Sequence, residues 1–225
     1  MQYQIFGGNL PAVTLRLEQG EQVFTQSGGM TWMSDGFSMQ TNLRGGMMRS
    51  LGRMFTGESI FMATYTASAP GCEITFSSAF PGSILPLPLD GREYICQKQS
   101  FLCATEGVSL SLAAQLSKGG LFGGEGLLLQ KLSGRGMAFL ELDGSVVEKN
   151  LAPGEVIKVS TGNVAAWESS VSYTSQMVKG FKNILFGGEG LFLTVLEGPG
   201  KIWLQSINMA DFAGRIVPFL PIQHN

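Results

Sequence analysis

The sequence predicts an all-β protein of three tandem β modules around a pseudo-threefold axis, and three observations carry that prediction. One phrase is written three times: Met54-Phe55-Thr56-Gly57-Glu58-Ser59-Ile60-Phe61 returns as Leu121-Phe122-Gly123-Gly124-Glu125-Gly126-Leu127-Leu128 and as Leu185-Phe186-Gly187-Gly188-Glu189-Gly190-Leu191-Phe192. Glycine supplies 31 of the 225 residues, against a usual share of about 7%. These glycines have no collagen period and separate short apolar runs, the pattern of many strands joined by tight turns. Finally, the segments around each copy of the phrase align as strand, turn and strand.

Each repeat opens with two strands across a glycine turn. In the first repeat these are Val13–Leu17 and Gln22–Thr25 across Gln19-Gly20-Glu21. In the second they are Ile84–Leu89 and Glu93–Cys96 across Asp90-Gly91-Arg92, and in the third Val146–Leu151 and Val156–Val159 across Pro153-Gly154-Glu155. Gly20, Gly91 and Gly154 therefore occupy one position, since Asp-Gly and Pro-Gly are turn dipeptides and their flanks alternate apolar with polar. A third strand follows at Met30–Trp32, Phe101–Cys103 and Val164–Trp167. After the Phe-x-Gly-Glu phrase come two more: Met62–Tyr65 with Glu73–Phe76, Leu127–Gln130 with Met137–Leu140, and Leu191–Thr194 with Lys201–Leu204. The repeats run approximately 3–83, 84–145 and 146–216. No linker separates them, so residues 1–225 are expected to form one compact domain.

One stretch breaks the β rhythm. Met47, Met48, Leu51, Met54 and Phe55 fall at helical spacing, with Arg49 and Arg53 four residues apart. This is either a short helix capping the open end of a β module or a contact segment for a partner or a membrane surface. The matching stretch of the third repeat, Val178–Leu185, is also basic and apolar; the second repeat has only Ser117–Gly120.

Taken together, the tripled phrase, the basic-apolar lead into Arg53-Met54-Phe55-Thr56-Gly57-Glu58-Ser59 and the glycine-rich second and third copies resemble the AIM24 (altered inheritance of mitochondria) family. The resemblance spans roughly residues 3 to 216. It implies a fold like that of the tryptophan RNA-binding attenuation protein, with modules of double-stranded β-helix type. Fungal members of the family are mitochondrial and affect inner-membrane organisation. The resemblance carries over no catalytic residues. The start of the chain has no transit-peptide character, as expected of a prokaryotic member.

Composition excludes several classes of function. The formal charge is −2 and 14% of residues are charged, against about 25% in an average domain. No basic field is available, so no nucleic-acid partner is expected. With 44% hydrophobic residues, part of the surface must be apolar, and self-association into a homo-oligomer is the expected way to hide it. Cys72, Cys96 and Cys103 form no Cys-x-x-Cys and are expected as buried, reduced thiols. Met1–Gly8 lacks the basic and apolar regions of a signal peptide, and no apolar run reaches 18 residues. A cytoplasmic protein, peripheral at the inner face of the membrane, is the resulting expectation.

The tripled acids Glu58, Glu125 and Glu189 are the sharpest constellation. Three carboxylates near one axis could hold a hard cation. The simpler reading, that each accepts hydrogen bonds from its own tight turn, is preferred, because further oxygen ligands cannot be assigned. No metal and no cofactor are expected. The neighbouring glycines lack a following Gly-Lys-Ser/Thr, which argues against a phosphate loop. His224 is the only histidine, which removes Ser-His-Asp and Cys-His chemistry. Glu168 beside Trp167 reads as a strand-end charge rather than a general acid. The sequence therefore predicts no enzyme but an interaction or scaffold protein. The alternative is a small-ligand module with a pocket between repeats, its ligand unknown.

Overall fold

The structure is a computed structural model that describes residues 1–26, 28–43, 61–116, 127–177 and 192–220. Strand β1 (Gln2–Phe6) precedes the repeats. The first repeat contributes β2 (Ala12–Leu17), β3 (Gln22–Gln26), β4 (Met30–Met33), β5 (Phe37–Leu43), β6 (Phe61–Ala67) and β7 (Cys72–Ser77). The second contributes β8 (Gly82–Pro88), β9 (Tyr94–Gln97), β10 (Phe101–Thr105), β11 (Val108–Leu116), β12 (Leu127–Gly134) and β13 (Met137–Asp143). The third contributes β14 (Val146–Leu151), β15 (Val156–Ser160), β16 (Val164–Glu168), β17 (Ser172–Met177), β18 (Phe192–Glu197) and β19 (Gly200–Gln205). A helix, α1 (Met209–Ile216), follows.

The chain is thus mostly β, as the sequence predicts, and every strand of the sequence reading is present. The structure adds β1, a fourth strand in each repeat (β5, β11, β17) and α1. The alternation was there to be read in Phe37-Ser38-Met39 and in Val108-Ser109-Leu110-Ser111-Leu112, but Met39 and Leu112 point outward and are exposed.

Within each repeat the second, fifth and fourth strands pair in one sheet, and the first, sixth and third pair in another. The sheets run across repeat boundaries. The four sheets are β1-β2-β7-β4, β5-β6-β3-β10-β13-β8, β11-β12-β9-β16-β19-β14 and β15-β18-β17. Pro86 and Pro88 lie in β8, an end strand, where a missing N–H costs no internal ladder bond.

Contacts divide the chain into two compact units that do not coincide with the repeats. Residues 1–91, 101–109 and 134–141 form one unit, which takes β8, β10 and most of β13 from the second repeat. Its core lies between two sheets: Val13, Leu15, Ile74 and Phe76 from one meet Val23, Tyr65, Leu102 and Phe139 from the other. Residues 92–100, 110–133 and 142–225 form the second unit. Its core joins Ile95, Leu129, Val164, Trp167 and Ile202 to Leu196. The Trp167 ring packs edge-on against Tyr173 at 5.1 Å.

The repeat is exact at two details. Gly20, Gly91 and Gly154 adopt φ values of +84°, +83° and +76°, and their N–H groups donate to the carbonyls of Ala67, Gly134 and Gly198. The third strand carries the same register shift against the sixth in every repeat: between Met30 and Trp32, between Phe101 and Cys103, and between Val164 and Ala166. Such a bulge bends its strand and changes the outlook of the residues beyond it.

Candidate functional site

All the predicted site residues fall outside the described residues: Glu58, Glu125 and Glu189, and Met47, Met48, Arg49, Leu51, Arg53, Met54 and Phe55. His224 does too. The chain route still groups them. The segments 44–60, 117–126 and 178–191 each connect the fourth strand of a repeat to the fifth, and these two strands are sheet neighbours each time. The three copies of the phrase therefore hang on equivalent connections.

The described residues present a second set of features, the joints between repeats. The second strand of one repeat pairs antiparallel with the third strand of the next, twice. In the β3–β10 joint, Phe24 faces Ala104 and Val23 faces Thr105. In the β9–β16 joint, Cys96 faces Ala166, Ile95 faces Trp167 and Tyr94 faces Glu168. The register is the same counted from the glycine turn and from the bulge. Side chains there are sealed: Cys103 is 0% exposed and Trp167 1%.

Two strands of the same kinds stand at sheet ends. β4, a third strand, ends the first sheet, and β15, a second strand, ends the last. The joint equivalents of Trp32 and Met33, which are Cys103, Ala166, Ala104 and Trp167, are buried, but Trp32 is 52% exposed and Met33 39%. Trp32 lies 6.3 Å from the Phe6 ring, and Tyr3, Ile5 and Phe6 of β1 are exposed as well. The register puts Phe6 and Trp32 on one face of this sheet and Tyr3, Ile5 and Met33 on the other, so an exposed aromatic pair links β1 and β4, and sequence reasoning missed it. The available signal was an apolar third strand, Met30-Thr31-Trp32-Met33, in the first of the three repeats.

A third feature is α1. Asn208 caps it: its Oδ1 accepts from the Asp211 N–H at 2.9 Å, and its Nδ2 donates to Asp211 Oδ2 at 2.8 Å. The Met209 N–H donates to Asp143 Oδ2 at 2.9 Å. Burial raises the Asp143 carboxyl above its ordinary value, and that hydrogen bond opposes the rise. Although held this firmly, the helix leaves Met209, Phe212 and Ile216 exposed at positions i, i+3 and i+7.

The remaining polar groups serve the fold. Gln97 Nε2 donates to the carbonyls of Gly162 and Val164, and Gln205 Nε2 to that of Gly162. Glu168 Oε2 accepts from the Lys201 N–H at 2.9 Å at the end of β16, the strand-end role its sequence position suggested. The three thiols are free and buried. Burial pushes Cys96 up to about 12 and Cys103 well above the usual thiol range, so neither offers a thiolate. Among the described residues, no three His, Cys, Asp or Glu side chains gather to hold a metal ion. No helix among them is long and apolar enough to cross a membrane.

These features define a class: an all-β protein whose repeats share sheets and whose end strands and C-terminal helix carry apolar surface. The chain belongs to the AIM24 family, whose model, described as "Mitochondrial biogenesis AIM24", matches residues 3–207. It is 28% identical over 223 residues to an uncharacterized protein of Streptococcus pyogenes serotype M6, covering 96% of this chain and 89% of that protein. A crystal structure of a Streptococcus pyogenes protein from a structural genomics programme superposes with a TM-score of 0.79 at 26% identity, covering 97% of this chain and 99% of that one.

Proposed function

We propose that the protein is a non-catalytic scaffold that associates with copies of itself and works as a peripheral protein at the cytoplasmic face of a membrane. The observation that carries this reading is the exposed aromatic pair Phe6 and Trp32, 6.3 Å apart, on the face of the sheet β1-β2-β7-β4 that turns away from the core. Contiguous apolar patches on a folded surface mark interaction sites. The segment Met47 to Phe55, between β5 and β6 in sequence, holds five large apolar groups and two arginines, a composition suited to anionic headgroups. Glu58, Glu125 and Glu189 are given a structural role in their turns, and no metal or cofactor is assigned.

At the finer level we assign each repeat to the double-stranded β-helix type of the tryptophan RNA-binding attenuation protein. A pseudo-threefold axis through one chain would need a third joint, between β15 and β4 of the same chain. Pairing of the same two strands between copies would replace that closure.

The test is native mass spectrometry of the purified chain together with flotation on vesicles containing anionic lipid. Expected are an oligomer and salt-sensitive vesicle binding that weakens in the Met47→Ser/Met48→Ser/Leu51→Ser variant while its denaturation midpoint holds. A monomer that ignores vesicles refutes the reading. A sharp fall in the midpoint would instead make the segment a cap on its repeat.

A small-ligand module is the second reading, and one observation favours it. Gln130 has both amide atoms buried without a hydrogen-bond partner among the described residues, and Trp167 Nε1 is in the same state. Both lie in the sheet β11-β12-β9-β16-β19-β14. A non-covalent mass retained by the native protein and lost in Gln130→Leu would establish it.

A further inference from the structure

We propose that copies of this chain join head to tail by pairing β15 of one copy with β4 of the next, in the register already used twice inside the chain. This rests on the self-association proposed above and names its partner and surface. Every repeat has one second strand and one third strand, and the internal joints always pair the former with the latter of the following repeat. Three repeats in a row use up two such joints. The second strand of the last repeat and the third strand of the first remain as sheet ends. They are the two halves of one more joint.

The end strands suit a covered role better than a wet one. Permanent sheet edges are usually guarded by charge, proline or a covering element. β4 reads Met30-Thr31-Trp32-Met33, with no charge and no proline. β15 reads Val156-Ile157-Lys158-Val159-Ser160, with one charge. The bulge that prepares β10 and β16 for their joints is already formed in β4. The partners in the internal joints, Val23, Phe24, Tyr94 and Ile95, are buried, whereas β15 is exposed or half-buried along its length.

The internal register predicts the external one. Met33 stands where Ala104 and Trp167 stand, three residues after Met30, Phe101 and Val164. Lys158 stands where Phe24 and Ile95 stand, four residues after Gly154, Gly20 and Gly91. Ala104 faces Phe24 and Trp167 faces Ile95, so Met33 faces Lys158 of the next copy. Trp32 then faces Val159, and Ser34 faces Ile157. Because the two surfaces differ, the contact is heterologous, and it either closes into a ring or continues as a filament.

The experiment mixes two single variants, Trp32→Cys and Val159→Cys, under mild oxidation. Facing residues on antiparallel strands bring their Cα atoms within about 4.5–5.5 Å, inside disulfide range, and the native thiols are buried. Expected is a disulfide-linked dimer from the mixture and none from either variant alone. Trp32→Cys mixed with Ile157→Cys, two residues out of register, should link at least tenfold less. The Trp32→Asp variant should keep the strand content of the parent while its dissociation constant rises about 100-fold or more, since the joint would bury an unpaired carboxylate opposite Val159. An oligomeric parent without the mixed disulfide overturns the joint and leaves self-association standing. A monomeric parent overturns both. A disulfide at monomer mass in the double variant Trp32→Cys/Val159→Cys means closure within one chain and also overturns the proposal.

Discussion

Gly91→Ala and Gly107→Ala should destabilise this protein by clearly different amounts, although both change one glycine in the second repeat. At Gly91 the backbone has φ +83°, but a Cβ would meet nothing within 4 Å. The cost is conformational only. A left-handed L-residue costs about 1–2 kcal/mol, and the stiffer unfolded chain returns about 0.4–1 kcal/mol. The net loss is at most about 1.6 kcal/mol, a fall in melting temperature of up to about 6 °C for a chain of this size. Gly20 and Gly154 share the conformation and the open space, so all three alanine variants should fall in that range. Gly107 is different. A Cβ there would land on the carbonyl oxygen of Arg135, in the turn whose Arg135 N–H donates back to Gly107 at 3.1 Å. Overpacking against backbone costs about 1–3 kcal/mol and the hydrogen bond about 1 more, so the loss should reach about 3 kcal/mol. Denaturant melts at one fixed protein concentration measure both, because association with copies would raise apparent stability. Equal losses at Gly91 and Gly107, or a spread above about 2 kcal/mol among Gly20, Gly91 and Gly154, would refute the equivalence of the three turns.

Three further outcomes are expected. Glu125→Gln should lower stability by about 1 kcal/mol, as loss of a charge-assisted hydrogen bond does, and added divalent metal should leave the parent's melting temperature unchanged; a metal-dependent rise that vanishes in the triple Glu→Gln variant would make the three acids a metal site. Gln97→Leu removes both donors to the Gly162 and Val164 carbonyls and should cost about 1–3 kcal/mol in denaturant melts, because Val164 is left with a buried acceptor to satisfy. Asp143 has a raised folded pKa, so the native state binds its proton more tightly than the unfolded chain, and this group favours folding as pH falls through the folded value and opposes it above; Asp143→Asn, which keeps an acceptor for Met209, should therefore flatten that part of the stability profile across mild acid. Glu148, held below its ordinary value by the Lys201 side chain, has the opposite sign: its contribution is present above the ordinary Glu value and lost as pH falls through the folded one.

Some of this fold could be read without coordinates, and the reasons are local. Gly20, Gly91 and Gly154 were recognisable because a turn with positive φ needs glycine and its flanks alternate. The strands beside them followed from the same alternation. β5, β11 and β17 were missed because their apolar residues do not all face the core; Met39 and Leu112 are exposed. α1 was missed although Asn208 and Asp211 supply its cap and Met209, Phe212 and Ile216 its stripe, because a helix of two turns at the end of a long run of strands has little periodic signal. The sharing of sheets between repeats was out of reach. Which repeat's strand pairs with β3 depends on contacts such as Phe24 with Ala104, 80 residues away, and no local pattern encodes them. The site residues drawn from the tripled phrase lie outside the described residues, whereas the surface at β4 was visible only once its buried counterparts in β10 and β16 could be compared with it.

Triplication has a consequence for a scaffold that a single module would lack. Each repeat carries its own connection between the fourth and fifth strands, and each connection carries a copy of the Phe-x-Gly-Glu phrase. The flanking residues differ. The first copy follows Arg49 and Arg53 among methionines, the third follows Lys179 and Lys182, and the second has Lys118 alone among glycines. The repeats thus keep one phrase and vary the residues that lead into it. A single basic-apolar segment holds an anionic surface weakly, because each basic residue near the surface is worth about 1 kcal/mol and is screened by salt. Several segments fixed to one body bind with an effective concentration instead of independently, and avidity can exceed the single-site affinity by a factor of about 10² to 10⁴. Joining copies through β15 and β4 multiplies the segments again without any change in the segments themselves. On this argument the two proposals are coupled. Breaking the joint with Trp32→Asp should weaken vesicle binding far more than the loss of any one basic residue, although residue 32 lies outside the three basic-apolar segments. If vesicle binding survives in the dissociated variant at the strength of the parent, assembly and surface binding are independent, and multivalency is not what the repeats are for.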